Sequence, residues 1–155
     1  SDLDAALFGA IHPTETVLPW RVLAILQRAL DELAIQPAGF FVPLGVGNHV
    51  DHQHARAVGR LLAADGYRVL AYADYPYAGD PGGNAPEIPG AGEPVVRPLS
   101  AAAFERKIQA VLCYRSQHAV IFRHQGDPAE ATRAFTLATG GGRPAERFQP
   151  LQPVD

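Results

Sequence analysis

Three consecutive segments between residues 40 and 72 constrain the fold most. Residues 40–44 are a short apolar run, residues 51–64 place apolar side chains at helical spacing, and residues 67–72 (YRVLAY) are again apolar. Asp65-Gly66 is a typical helix end. Two strands joined by one helix and short links are expected to lie parallel, with a right-handed crossover. The pattern therefore predicts an α/β protein.

The remaining elements are predicted on both sides of this unit. A helix is predicted over 16–33, and a strand over 95–99 (VVRPL) is placed at a sheet edge because Pro98 has no N–H to donate. Further helices are predicted from 101 to about 114 and from 128 to about 138, followed by an irregular tail over 143–155. Residues 77–94, rich in glycine and proline, are predicted to be a long loop, and such loops are usually functional or mobile.

Composition excludes several classes of protein. The 155 residues suit a single domain over 1–155, and a net charge of −3 does not indicate a nucleic-acid or anionic-membrane binder. The single cysteine, Cys113, excludes an internal disulfide framework and predicts a reducing, cytoplasmic location. No apolar run reaches the ~18 residues of a membrane span, and the first ten residues lack the basic region of a signal peptide.

Half of the histidines lie in one short segment, PLGVGNHVDHQHAR, at residues 43–56. His49 and His52 are expected on either side of the helix start, facing the crevice at the carboxyl end of strand 40–44. Open α/β sheets bind their ligands in that crevice. A metal or catalytic site is one interpretation. The other is a polar loop in which Asp51 is a plain N-cap and the histidines are surface residues.

Four segments resemble motifs of the LmbE-like (PIG-L) zinc-dependent deacetylases, in the same order and over residues 14–148. PLGVGNHVDHQHAR is similar to the family's second signature, in which Pro-Leu-Gly is followed by Gly-x-His-x-Asp-His. YADYPYA at 72–78 resembles Tyr-Glu-Asp-x-Pro-Tyr, with Ala73 in place of Glu. KIQAVLCYRSQ at 107–117 resembles a helix end of the family, and AERF at 145–148 its closing Glu-Arg-Phe.

The resemblance implies a zinc-dependent hydrolase that removes an N-acetyl group, commonly from an amino sugar. His52 would be a zinc ligand, His49 would stabilise the developing oxyanion, and Asp51 would orient a histidine. Zinc would lower the pKa of its bound water toward ~7 and polarise the acetyl carbonyl. Asp74 and Tyr75 follow a strand at its carboxyl end and are predicted to contact the substrate, a small amino-sugar-type molecule.

The family's first signature, Ala-His-Pro-Asp-Asp-Glu, has no counterpart here. IHPTET at 11–16 is the nearest candidate, but Thr14 stands in place of the general base and cannot accept a proton from water. The segment also lies too close to His49 for the several strands and helices that separate the two signatures. The chain is therefore expected to be the carboxyl-terminal part of the domain, an incomplete Rossmann-like three-layer sandwich with a mostly parallel sheet.

Two functions are consistent with this pattern. The first is a zinc-dependent deacetylase that is active only with a missing amino-terminal segment supplying the other ligands. The second is an inactive fragment or homologue that dimerises or binds a ligand. Strands 40–44 and 67–72 look fully buried, so a half-sheet of three strands would leave an apolar edge. We therefore expect either a homo-oligomer or association with the chain's own amino-terminal segment.

Overall fold

The computed structural model describes residues 6–80 and 91–152. Most of the predicted loop over 77–94 therefore lies outside the described residues. The helices and longer strands, in chain order, are α1 (Leu18–Glu32), β1 (Phe40–Pro43), α2 (Val50–Ala64), β2 (Val69–Tyr72), β3 (Val95–Pro98), α3 (Ala101–Leu112), α4 (His118–Ile121), α5 (Pro128–Thr139) and β4 (Ala145–Pro150).

The predicted strand–helix–strand unit is confirmed. β1 and β2 pair in parallel, with Phe40 opposite Val69 and Pro43 opposite Tyr72. Gly66 has φ +87°, a conformation that glycine adopts without strain, and it reverses the chain after α2. The unit brings the carboxyl ends of two neighbouring strands to the same edge of the sheet.

The sheet is mixed, so the prediction of a mostly parallel sheet was wrong. The strand order is β1-β2-β4-β3, and β4 runs antiparallel to both of its neighbours. The irregular tail was also a wrong prediction, because residues 145–150 form β4 inside the sheet. Half of the residues of this strand are polar and most of it is only half-buried, so it gives little apolar signal. The edge position of β3 is confirmed.

The core lies between the sheet and two helices. α2 packs on β1 and β2, and α1 packs on α2. Elsewhere α5 contacts both α3 and β4. The main apolar cluster consists of buried side chains from α1, α2, the first two strands and their flanks: Leu23, Val42, Leu44, Val46, Val58, Leu62, Ala63, Val69, Ala71 and Leu151. No helix within the described ranges is long and apolar enough to cross a membrane.

The first two strands are only partly buried, contrary to the expectation of full burial. Side chains alternate between the two faces of a strand. Val42 faces the core and is buried, whereas Phe41 remains 64% exposed and makes an edge-to-face contact with Phe148 at 5.4 Å between ring centroids. β1 is also an edge strand among the described residues. An apolar face and an open strand edge therefore meet at Phe41.

We predict that Gly59→Ala destabilises the protein, although alanine is the better helix former by about 1 kcal/mol. A Cβ at this position of α2 would lie 2.8 Å and 3.0 Å from the two methyl groups of Val42, a stiff and buried side chain. Overpacking of this kind costs roughly 1–3 kcal/mol. Urea denaturation would measure the change in the free energy of unfolding.

The matched control is a double-mutant cycle with Val42→Ala, which removes both crowding methyl groups. We expect the double variant to be more stable than the sum of the single effects by about 0.5–3 kcal/mol, the usual range for residues in contact. A stabilising Gly59→Ala, or strictly additive effects, would contradict this packing.

Candidate active site

A sharply bent turn connects β1 to α2. Gly45 (φ +87°), Gly47 (φ +80°) and Asn48 (φ +61°) all adopt left-handed backbone conformations. Glycine adopts them freely and asparagine tolerates them better than most residues. The turn carries His49 and His52 to the carboxyl end of β1, as the sequence predicts.

The carboxylate of Asp74 joins the ends of the two parallel strands. Asp74 follows β2, and its side chain has 0% exposed surface. Its Oδ2 accepts the N–H of Gly45 at 2.7 Å and the N–H of Val46 at 2.9 Å. A buried charge is costly unless it is hydrogen-bonded, and these two N–H groups supply that compensation. Asp74 therefore holds the turn after β1 in place.

The second oxygen of Asp74 contacts His52. Nδ1 of His52 and Oδ1 of Asp74 lie 2.7 Å apart. The approach angle is too far from linear for a hydrogen bond, and neither atom has a hydrogen-bond partner in the described part of the chain. The distance decides the interpretation, because 2.7 Å leaves no room for a water molecule between the atoms. The two groups therefore interact directly.

His49 caps α2 with its side chain. Its Nδ1 accepts the N–H of Asp51 at 3.2 Å, which satisfies one of the free donors of the helix start. A neutral imidazole whose Nδ1 accepts must carry its proton on Nε2. The rings of His49 and His52 lie 5.2 Å apart, centroid to centroid. The carboxylate of Asp51 lies 3.9 Å from His49 Nδ1 and is 82% exposed, so it makes no direct hydrogen bond to that ring.

Two aromatic residues that the sequence reasoning did not select as site residues line the histidine pair. Tyr77 lies edge-on to His52 at 5.6 Å, and Phe8 lies edge-on to His49 at 5.2 Å and to Tyr77 at 6.0 Å. Burial and the negative charges of Asp74 and Asp80 raise the pKa of the Tyr77 phenol. The phenol is therefore a hydrogen-bond donor at neutral pH. The YADYPYA segment held a signal for Tyr77, whereas nothing in the sequence indicated Phe8.

Phe8 is held at the site by backbone contacts. The Asn48 side-chain amide donates to the carbonyls of Phe8 and Gly9 at 3.3 Å and 3.0 Å. The Gln53 amide donates to the Gly9 carbonyl at 2.8 Å. These bonds join residues about forty positions apart in the sequence, which explains why local patterns do not reveal them.

The structure does not bring Tyr75 to the histidine pair. Its ring stacks on Phe135 of α5 at 4.6 Å, and the ammonium of Lys107 lies 5.7 Å from the ring centroid. The carboxylate of Asp74 reaches the pair but has no exposed surface. The prediction that these two residues contact the substrate therefore finds no support in this geometry.

The IHPTET segment does not contribute a carboxylate to the pair. Pro13–Glu15 forms a single 3-10 turn capped by His12, and Glu15 lies 3.4 Å from Nε2 of His54. His54 is buried on α2 and is a different histidine from the two at the crevice. These contacts agree with the sequence-based conclusion that IHPTET is not the family's first signature.

The residues present do not form a complete metal site on their own. A zinc site takes three or four protein ligands. Within residues 6–80 and 91–152 no group of three or more histidine, cysteine, aspartate or glutamate side chains is placed to hold a metal ion. His52 offers Nε2, which makes no hydrogen bond to the described residues, and this is one possible ligand.

The fold is that of part of a group of deacetylases. No protein-family model matches the chain, and no curated protein matches its sequence. Among solved structures, the zinc-inhibited form of teicoplanin deacetylase Orf2 is 22% identical, with a TM-score of 0.74 over 92% of this chain and 55% of that one. The A40926 pseudoaglycone deacetylase Dbv21 is 25% identical, with a TM-score of 0.68 over 86% of this chain and 56% of that one. A deacetylase–teicoplanin complex is 21% identical, with a TM-score of 0.71 over 95% and 56%.

These matches show that the chain has the fold of part of the matching structures. The chain spans about half the length of the structures it matches. The match alone therefore does not assign the activity of a whole deacetylase to this chain.

We predict that His49→Ala lowers the free energy of unfolding by about 1 kcal/mol, the usual cost of losing a side-chain N-cap. His49→Asn should retain most of that stability, because asparagine is a good N-cap and can accept the same N–H. Urea denaturation of the two variants would measure the difference. Equal stability of both variants and the native chain would show that the His49 cap contributes nothing.

Proposed function

We propose that this chain is the carboxyl-terminal part of an LmbE-like (PIG-L) metal-dependent N-deacetylase domain with a Rossmann-like three-layer fold. The observation that carries the proposal is the histidine pair: His49 offers an N–H while His52, 5.2 Å away, rests on a buried carboxylate. Hydrolysis of an acetamide needs both a donor for the developing negative charge and a metal-activated water. The deacetylase fold of the matching structures supports the same reaction class.

His52 would supply one zinc ligand through Nε2. The other ligands and the general base would come from a segment outside the described residues. When bound, zinc would supply an activated water and polarise the carbonyl of the substrate. The chemistry of the donors fits this division, because neutral imidazole is a common zinc ligand and its second nitrogen usually contacts a carboxylate.

His49 would stabilise the charge that forms on the acetyl oxygen. Its Nδ1 accepts from the helix backbone, so its Nε2–H is the donor available to a substrate. Asp51 would orient His49 through its backbone N–H, which donates to Nδ1 at 3.2 Å, while its carboxylate lies 3.9 Å from the same atom.

The substrate would be a small amino-sugar-type molecule. The matching structures include enzymes described as acting on teicoplanin and on the A40926 pseudoaglycone, both named as deacetylases. Phe8 and Tyr77 would form the apolar walls of the acetyl site and reduce the access of water. Their aromatic faces would also suit packing against the apolar face of a sugar ring.

The chain's own amino-terminal segment would cover the open side of the sheet. β1 has an unpaired edge among the described residues, and its Phe41 is 64% exposed. Soluble proteins protect edges of this kind. Association with that segment would bury the edge and supply the missing ligands together, whereas a homo-oligomer would bury the edge alone.

The alternative function is an inactive homologue that binds a ligand without hydrolysing it. The lack of a three-ligand group within residues 6–80 and 91–152 favours this reading. The zinc content of the complete gene product separates the two functions, because an inactive relative without the first signature would not retain the metal.

In the complete protein, we expect His52→Ala to abolish stoichiometric zinc binding and deacetylation. His52→Gln is the matched variant, since glutamine can still donate to Asp74 but is a poor zinc ligand. Elemental analysis and acetate release would be measured for both variants. Full zinc content together with full activity would refute the ligand assignment.

His49→Asn in the complete protein should retain zinc and helix stability, while turnover falls by something like 10²-fold, the usual effect of losing one oxyanion donor. Acetate release at saturating substrate would measure the change. Unchanged turnover would remove His49 from the mechanism, whereas loss of zinc would reassign it as a ligand.

A further inference from the structure

We infer that Asp74 is a positioning residue that fixes the proton of His52 on Nδ1 and so leaves Nε2 unprotonated toward the crevice. The use of that nitrogen for a metal rests on the proposed function. The protonation pattern itself rests only on the contacts of this chain. Asp74 therefore has a different task from the substrate contact that its position in the sequence suggested.

The short contact fixes the location of the proton. Oδ1 of Asp74 lies 2.7 Å from Nδ1 of His52, and an ionised carboxylate can only accept. If the proton were on Nε2, the electron-rich Nδ1 would lie 2.7 Å from a negatively charged oxygen without solvent between them. At this distance the arrangement is electrostatically favourable only when Nδ1 carries the hydrogen, because the positive end of the N–H dipole then lies near the carboxylate.

The other oxygen fixes the carboxylate itself. Oδ2 accepts from the N–H groups of Gly45 and Val46 at 2.7 Å and 2.9 Å, so the group cannot rotate without losing both bonds. These donors belong to the turn that precedes α2, and His52 lies in the first turn of α2. One carboxylate thus locks the turn and the imidazole into a single unit.

Charged neighbours do not replace this interaction. Arg56 donates to the carbonyl of Leu44 at 2.7 Å and lies beneath the same turn. Burial and the nearby charge of Arg60 lower the pKa of Arg56, and the charge of Asp74 opposes that change. The Tyr77 ring lies in an edge-to-face arrangement with His52, at 5.6 Å between ring centroids, and it carries no charge at neutral pH.

A purely structural role for Asp74 makes a different prediction. If the carboxylate served only to hold the turn, Asp74→Asn would leave the free energy of unfolding nearly unchanged, because the amide oxygen can accept both N–H groups. The amide nitrogen would then face His52 and donate to Nδ1, which would move the imidazole proton to Nε2. Asp74→Asn therefore separates the two roles by reversing the tautomer while keeping the fold.

The test is nitrogen-15 NMR of the full chain labelled at histidine, at a pH where imidazole is neutral. Correlations from the ring C–H protons to both nitrogens identify the protonated one, and loss of signals in His52→Gln assigns them to His52. We expect the native protein to be protonated on Nδ1 and Asp74→Asn on Nε2. A native His52 protonated on Nε2 overturns the inference without any variant, and so does an unchanged tautomer in a folded Asp74→Asn.

Asp51→Asn is the matched control. It makes the same carboxylate-to-amide change beside His52 on the helix, but at an exposed side chain. We expect it to leave the His52 tautomer unchanged. Reversal of the tautomer in Asp51→Asn as well would show that the effect is one of general charge and would overturn the specific role of Asp74.

Zinc binding distinguishes this inference from the proposed function. In the complete protein, Asp74→Asn should weaken zinc affinity by about 10- to 100-fold, the usual effect of losing the partner of a metal-ligating histidine. If Asp74→Asn reverses the His52 tautomer but leaves zinc affinity unchanged, Asp74 keeps its positioning role and His52 is not a zinc ligand. If Asp74→Asn leaves the tautomer unchanged while His52→Gln loses zinc, His52 is a ligand and the positioning role of Asp74 is refuted.

Discussion

The buried carboxylate of Asp74 is the interaction on which the rest of the site depends. It compensates its own burial by accepting two N–H groups from the turn after β1, and it faces His52 with its remaining oxygen. The turn needs those bonds because Gly45 and Gly47 give it freedom that must be restricted on folding. The position of the histidine pair thus follows from one charged group at the end of β2.

The two histidines differ because their Nδ1 atoms have different neighbours. His49 meets a backbone donor at the helix start, and His52 meets an acceptor. With the tautomers inferred for the two rings, identical side chains 5.2 Å apart would offer a hydrogen-bond donor and a free lone pair. The proposed deacetylation would use both, and the difference between the two imidazoles comes from their neighbours.

Sequence periodicity correctly predicted the strand–helix–strand unit. Its three elements follow one another with short links, and their apolar residues recur at strand or helix spacing. Periodicity failed for β4, in which half of the residues are polar and most are half-buried, so that no apolar run marks the strand. Because β4 was missed, its antiparallel pairing with both neighbours was missed as well. The motif placed His49 and His52 together at a strand end. The motif did not show whether the Asp74 carboxylate contacts the His52 imidazole or the substrate. That depends on the direction of the Asp74 side chain, which the sequence does not give. Phe8 reaches the site through bonds to Asn48 and Gln53, and contacts over such sequence separations leave no local pattern.

The most direct test of the account is anomalous diffraction at the zinc absorption edge from crystals of the complete gene product. We expect a single strong peak about 2.0–2.1 Å from Nε2 of His52, the usual zinc–imidazole distance, with Nδ1 still against Asp74. The absence of a peak near His52, or a metal bound through His52 Nδ1 with Asp74 displaced, would contradict it.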